Sequence, residues 1–175
     1  MSWGYDRDAL HWKSADMLLQ MLIDCVSEGG NLLLNVGPNG RGEFEPKALE
    51  RLRFIGDWMR LHSRSIYGCT ASDLTAPPDC RYTQNGDRLY LHFFAWPYKH
   101  VHLQGLAGKV AYAQLLNDGS EIKRIEPDPS KQVHTSVMSG LPGALILELP
   151  TLKPDAAVPV VELFLKGKSS TDEHG

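Results

Sequence analysis

Glu28-Gly29-Gly30-Asn31-Leu32-Leu33-Leu34-Asn35-Val36-Gly37-Pro38 is the stretch on which the reading of this chain turns. A short, nearly continuous apolar run bracketed by Gly-Gly and Gly-Pro has the form of a parallel strand covered on both faces. Amphipathic helical patterns flank it. Lys13 to Ser27 sets Ala15, Leu18, Leu19, Leu22, Ile23 and Val26 on one stripe. Pro46 to His62 does the same with Leu49, Leu52, Ile55, Trp58 and Met59. Helix, strand, helix is a piece of an α/β layer, yet the neighbourhood offers no second strand to pair with the first. A buried strand with unpaired N–H and C=O groups is unfavourable. The first part of the chain therefore reads as incomplete.

Local signals sharpen this picture. Ser14 is placed to cap the first helix, and Gly29-Gly30 to end it. In the strand, Asn31, Leu33 and Asn35 would point to one face and Leu32, Leu34 and Val36 to the other. Asn35 would lie near the C-terminal end, where parallel α/β architectures meet their ligands. Gly37-Pro38-Asn39-Gly40-Arg41-Gly42 is glycine-rich but lacks both the Gly-Lys-Ser/Thr ending of a P-loop and the GxGxxG spacing, so phosphate binding is set aside. Met1 to Trp12 reads as a loop carrying Trp3, Tyr5 and Trp12.

Beyond Thr70 the character changes. Ala76-Pro77-Pro78-Asp79 reads as a linker. Asn85-Gly86, between Arg81–Gln84 and Arg88–Phe94, is a hairpin signal. Further strands are expected at 100–103, 109–116, 121–125, 133–137, 144–149 and 160–166. Short strands at this spacing suggest an antiparallel sandwich, and the polar tail 169–175 is expected to be disordered.

The totals exclude several classes. The chain has 175 residues, a formal net charge of −3 and 42% hydrophobic residues, which suits a globular protein of one or two domains. A mildly acidic balance without a basic cluster argues against nucleic acid as a partner. No apolar run approaches the roughly 20 residues of a membrane span, and Met1–Asp6 shows no signal-peptide pattern. Cys25, Cys69 and Cys80 form no CxxC pair, and a Cys69–Cys80 disulfide stays open. His100 and His102 would share a strand face without a third ligand, so no metal is expected there. Trp96-Pro97-Tyr98 could offer a sugar an aromatic platform, but packing explains it more simply.

These residues together resemble one family, the retaining α-L-fucosidases of glycoside hydrolase family 29, in their C-terminal part. The resemblance is carried by Ser2-Trp3-Gly4-Tyr5, Lys13-Ser14-Ala15-Asp16, the run from Leu22 to Pro38, Glu50 to Trp58, and Ser65-Ile66-Tyr67-Gly68. Asp87 to His92 and Trp96-Pro97 match more loosely. The resemblance implies a fold of α/β plus all-β type: a partial (β/α)8-like barrel segment over residues 1–70, then an antiparallel β-sandwich over 71–168. It implies retaining hydrolysis of terminal α-L-fucose by two carboxyl groups about 5–5.5 Å apart. In the family both lie upstream of the Trp-Gly-Tyr stretch, so no Asp or Glu here is expected to be catalytic and the chain alone is expected to be inactive.

What carries over is the pocket wall. Trp3 resembles an aromatic that meets the methyl side of fucose, Leu33 another wall of that pocket, and Asn35 a neighbour on the same face. A fucosylated glycan, met through the complete enzyme, is the implied partner; no cofactor is implied, and homo-oligomerisation stays open. The rival reading is a stand-alone carbohydrate-binding or interaction module built on the sandwich.

Overall fold

In the computed structural model, residues 5–6, 11–126 and 143–167 are described. Two helices come first, α1 (Ala15–Ser27) and α2 (Pro46–His62), followed by a 3-10 turn at Ser63–Ser65. Seven strands follow: β1 (Cys80–Asn85), β2 (Arg88–Phe93), β3 (His100–Leu103), β4 (Val110–Leu115), β5 (Lys123–Ile125), β6 (Leu145–Glu148) and β7 (Val160–Leu165). All strand pairs are antiparallel. They form a four-stranded sheet in the order β1-β2-β7-β4 and a three-stranded sheet in the order β3-β6-β5.

The helix ends follow their local chemistry. The Ser14 hydroxyl accepts from Met17 N–H at 3.1 Å, which satisfies a first-turn donor that has no intrahelical partner. At the other end Gly29 takes φ +78°. Gly30 N–H bonds the Cys25 carbonyl at 2.7 Å and Gly29 N–H the Val26 carbonyl at 2.9 Å. That bond pair is a Schellman stop, and it needs a residue tolerant of the left-handed region. Pro46 opens α2, where its missing N–H is harmless.

Two apolar cores lie on opposite faces of the four-stranded sheet. Leu89, Leu91, Phe93, Val161 and Leu163 point from it toward Val101, Leu103, Leu145 and Leu147 of the three-stranded sheet. On the other face Tyr90, Val160, Val158 and Leu116 pack against Leu19, Ile23 and Val26 of α1 and Trp58 of α2. The order is therefore helices, sheet, sheet, and β2 and β7 are covered on both sides. The helices thus share their core with residues beyond position 70. The segment before β1 is also tied down: Thr70 bridges Gln84, and Leu74 and Ala76 pack on the inter-sheet core.

Two expectations need correction. Asn31–Val36 is not a strand: no ladder pairs with it among the described residues, and Leu33 is 94% exposed. Alternation sets which way side chains would point, but a strand exists only through its neighbours' hydrogen bonds, and none of the described strands forms a ladder with these residues. The hairpin turn is Gly86-Asp87 and not Asn85-Gly86, since Asn85 pairs with Arg88. Gly86, at φ +56°, occupies the first central position, which a type II′ turn reserves for glycine. Strand β2 ends at Phe93, and Trp96 packs edge-on against Phe93 in the inter-sheet core, ring centroids 5.0 Å apart.

The remaining expected strands are present with ends shifted by one or two residues. Trp3, positions 133–137 and the tail 169–175 lie outside the described residues.

Candidate functional site

The residues that the resemblance assigned to a pocket wall are placed by the connection between α1 and α2. The Schellman stop at Gly29-Gly30 turns the chain away from α1, and the run 31–36 then crosses the outside of the molecule. Leu33 and Asn35 are both exposed on it, with Leu34 at the margin of exposure. Trp3 lies outside the described residues. The structure therefore shows two of the three exposed on one connection. Further apolar surface is exposed at Met17 on α1 and at Phe44 just before α2.

The return of this connection is rigidly built. Asn39 Oδ1 accepts from Arg41 N–H at 2.9 Å and Glu43 N–H at 3.1 Å. Gly42 N–H bonds the Asn39 carbonyl at 2.9 Å, and Asn39 N–H that of Glu43 at 2.8 Å. The backbone donors of Arg41, Gly42 and Glu43 are thus already engaged by Asn39. A phosphate cradle needs such donors free, so the glycine-rich turn works as a brace. Arg51 anchors the far end: its Nε donates to the Lys13 carbonyl at 2.7 Å and its guanidinium lies 5.4 Å from the centre of the Trp12 ring.

Two polar clusters, neither anticipated from the sequence, hold the helical layer that carries this connection to the sheet. The first centres on Glu162 of β7, 2% exposed. Register sets it between Tyr90 of β2 and Gln114 of β4. Gln114 Nε2 donates to Oε2 at 2.7 Å, Tyr90 Oη donates to Oε1 at 3.3 Å, and Arg64 Nη2 approaches Oε2 at 3.3 Å. Arg88 Nε stands 3.8 Å from Oε1 while its guanidinium covers Phe164, 3.9 Å from the ring centre. Burial, and then the Glu162 charge, push the Tyr90 phenol up to about 12. A carboxylate so enclosed by donors is satisfied in place. The available signal was Glu162 itself, the single charge inside Val160-Val161-Glu162-Leu163-Phe164-Leu165.

The second cluster joins His62 of α2 and His92 of β2, 1% and 0% exposed. The Trp58 indole stacks on His62 at 4.7 Å with 9° between the planes and lies 6.2 Å from His92. Its Nε1 donates to the Val158 carbonyl at 2.8 Å. Outside these clusters, Asp24 Oδ1 accepts from Arg81 Nε at 2.7 Å and ties α1 to β1. Cys69 packs with the helical core and Cys80 with the inter-sheet core, and all three cysteines are free thiols. Burial, then the Asp79 charge, push the Cys80 thiol up to about 12, so it is a buried apolar group and not a nucleophile. Among the described residues no group of three or more His, Cys, Asp or Glu could hold a metal ion. No described helix is long and apolar enough to cross a membrane.

Against known proteins, residues 1–64 match the family model described as α-L-fucosidase. An α-L-fucosidase of Branchiostoma floridae is 37% identical over 101 residues, 55% of this chain and 22% of that protein. The plasma α-L-fucosidase of Rattus norvegicus is 29% identical over 158 residues, 86% of this chain and 32% of that protein. Among solved structures, α-L-fucosidase isoenzyme 1 from Paenibacillus thiaminolyticus superposes with a TM-score of 0.82 at 39% identity, covering 94% of this chain and 37% of that one. The Thermotoga maritima α-fucosidase in complex with a mechanism-based inhibitor gives 0.73 at 28% identity, with 94% and 38% covered. The chain thus spans about a fifth to two-fifths of the length of these relatives. In sequence and in fold it is similar to the α-L-fucosidases, with the coverage expected of a C-terminal part.

Proposed function

We infer that this relative of the α-L-fucosidases is the C-terminal part of a retaining exo-glycosidase that removes terminal α-L-fucose from glycoconjugates. In this reading residues 1–70 are the end of a (β/α)8 catalytic barrel, with Asn31–Val36 as its last strand. Residues 71–168 are the β-sandwich that braces it.

The exposure of the Asn31–Val36 run carries the reading. Burying apolar surface contributes about 25 cal/mol per Å², so a leucine left 94% exposed between two ordered helices suits a surface made to be covered. The upstream strands of a barrel would cover it, and would also pair with it as a ladder, which none of the described strands does. Leu33 would then line the lumen with Trp3, presenting an apolar wall to the methyl group of fucose, and Asn35 would stand beside them. A related α-L-fucosidase from Bacteroides thetaiotaomicron, at 25% identity, was trapped as a covalent intermediate. That agrees with a retaining course, in which one carboxylate attacks the anomeric carbon and a second carboxyl group protonates the leaving oxygen and then activates water.

The two carboxylates that tie the helical layer to the sheet are already engaged. Glu162 is enclosed by Tyr90, Gln114, Arg64 and Arg88, and Asp24 is bound to Arg81. The chain by itself is therefore expected to release no aryl alcohol from an aryl α-L-fucoside above a buffer blank. Release that disappears when one of its own carboxylates is replaced would refute this reading. A melting temperature raised by fucose-containing glycans, with no hydrolysis, would favour a binding module instead.

A further inference from the structure

His62 and His92 face each other's surroundings across the seam between the helical layer and the four-stranded sheet, and their hydrogen bonds fix both tautomers. Thr83 Oγ1 donates to the Ser65 carbonyl at 2.6 Å, so at 3.0 Å it accepts from His92 Nε2–H. His62 Nδ1 lies 2.9 Å from the Trp58 carbonyl, which can only accept, so that nitrogen carries the proton. The remaining nitrogens, His62 Nε2 and His92 Nδ1, are buried lone pairs without a hydrogen-bond partner among the described residues.

A proton added to either nitrogen would create a buried cation whose new N–H has no acceptor, and both consequences are unfavourable. The surroundings give little relief: a hydrogen bond with the Ser65 backbone favours the His92 cation, but burial and His62 oppose it more strongly. The titratable and charged groups around the pair are Cys69 behind Thr83, Tyr90 and Glu162 on the sheet with Arg64 and Arg88, and Asp24 with Arg81, which lies opposite His92 in the β1–β2 register. Each of those carboxylates already has an arginine, so an imidazolium would meet paired charges and the other histidine. Burial accordingly holds His62 below its usual value, against the pull of the Trp58 carbonyl. Burial, then repulsion by His62, take His92 down to about 3.

We propose that His62 and His92 form an acid-operated latch: neutral imidazoles keep the two helices on the sheet, and their protonation releases the helices while the inter-sheet core stays folded. The separation of the two apolar cores makes release of one without the other physically reasonable. The sign follows from linkage. An imidazole freed by opening titrates near its unperturbed value of about 6.5, so the closed state binds fewer protons than the open one below that pH. The latch holds fully above about pH 6.5 and weakens as pH falls from there, for His92 toward about 3 by up to about tenfold in the opening constant per pH unit, with His62 acting in the same direction. The inference concerns this chain's own layers and does not rest on the glycosidase reading.

Amide hydrogen exchange on the whole chain between pH 7 and 5, corrected for intrinsic rates, tests it. Protection of α2 amides is expected to fall by about ten- to a hundredfold per pH unit below 6, while protection of β6 amides barely changes. Double substitution His62→Asn and His92→Gln keeps the two donors without an ionisable ring and is expected to abolish the slope. If that variant does not fold, each single substitution is expected to reduce it. An α2 protection independent of pH, a parallel fall in α2 and β6, or an unchanged slope in the variants would each overturn the latch.

Discussion

Replacing Trp58 by alanine is expected to lower the unfolding free energy by about 4 kcal/mol, near the upper end of what a single core substitution does. Trp58 is 4% exposed and sits where α2 meets the sheet. Truncation removes the largest side chain of the helical core and leaves a cavity that the stacked His62 ring and Val160 cannot fill together. It also strands the Val158 carbonyl, which loses the indole donor at 2.8 Å, adding about 1 kcal/mol within that figure. Trp58→Phe keeps most of the apolar contact and loses the donor, so about 1–2 kcal/mol is expected. Urea unfolding of the three proteins measures the difference. A drop under about 1 kcal/mol for the alanine variant would mean that the helices are not packed on the sheet as described.

Glu162→Ala is the second large effect, an expected loss of about 2–3 kcal/mol. Breaking a buried ion pair typically destabilises by about 3–5 kcal/mol because a charge is left without compensation. Here the figure is discounted because the two arginines reach water, their side chains being 62% and 35% exposed. What remains is the loss of acceptors for Gln114 and Tyr90 inside the seam. Glu162→Gln keeps an acceptor and should lose about half as much, whereas Arg64→Ala should change stability by about 1 kcal/mol or less. Urea midpoints read this order; an Arg64→Ala effect equal to that of Glu162→Ala would place the stabilisation in the ion pair instead of the hydrogen bonds.

Particular residues show how far the sequence could be read. Both helices, and the serine cap and glycine stop of α1, followed from local chemistry, because a cap involves groups only a few residues apart. The hairpin was legible through Gly86, although its turn is offset by one residue from the Asn-Gly pair. The Asn31–Val36 run was misread in one respect: its composition specifies a strand, but strand pairing is non-local, and no partner lies among the described residues. The two-sided burial of β2 was signalled by the near-continuous run Leu89-Tyr90-Leu91-His92-Phe93-Phe94.

The polar seam was the harder part. His62 and His92 are 30 positions apart, and nothing in the local pattern around either announces the other; their meeting depends on how α2 lies on the sheet. Glu162 was visible as an isolated charge in an apolar strand, yet its donors come from three other segments. The residues that the resemblance assigns to a pocket wall present the opposite case. Leu33 and Asn35 are identified by family resemblance, and the chain's own packing leaves them on the outside.

The most direct test of the account is amide exchange at Leu32, Leu33 and Leu34 in the chain alone. If this run is a strand whose neighbours belong to an upstream barrel, those amides should exchange within about tenfold of unstructured rates, while β6 amides are protected by orders of magnitude. Protection at Leu32–Leu34 equal to that of β6 would mean that the run already has its partners, and the reading of this chain as the closing piece of a larger fold would fail.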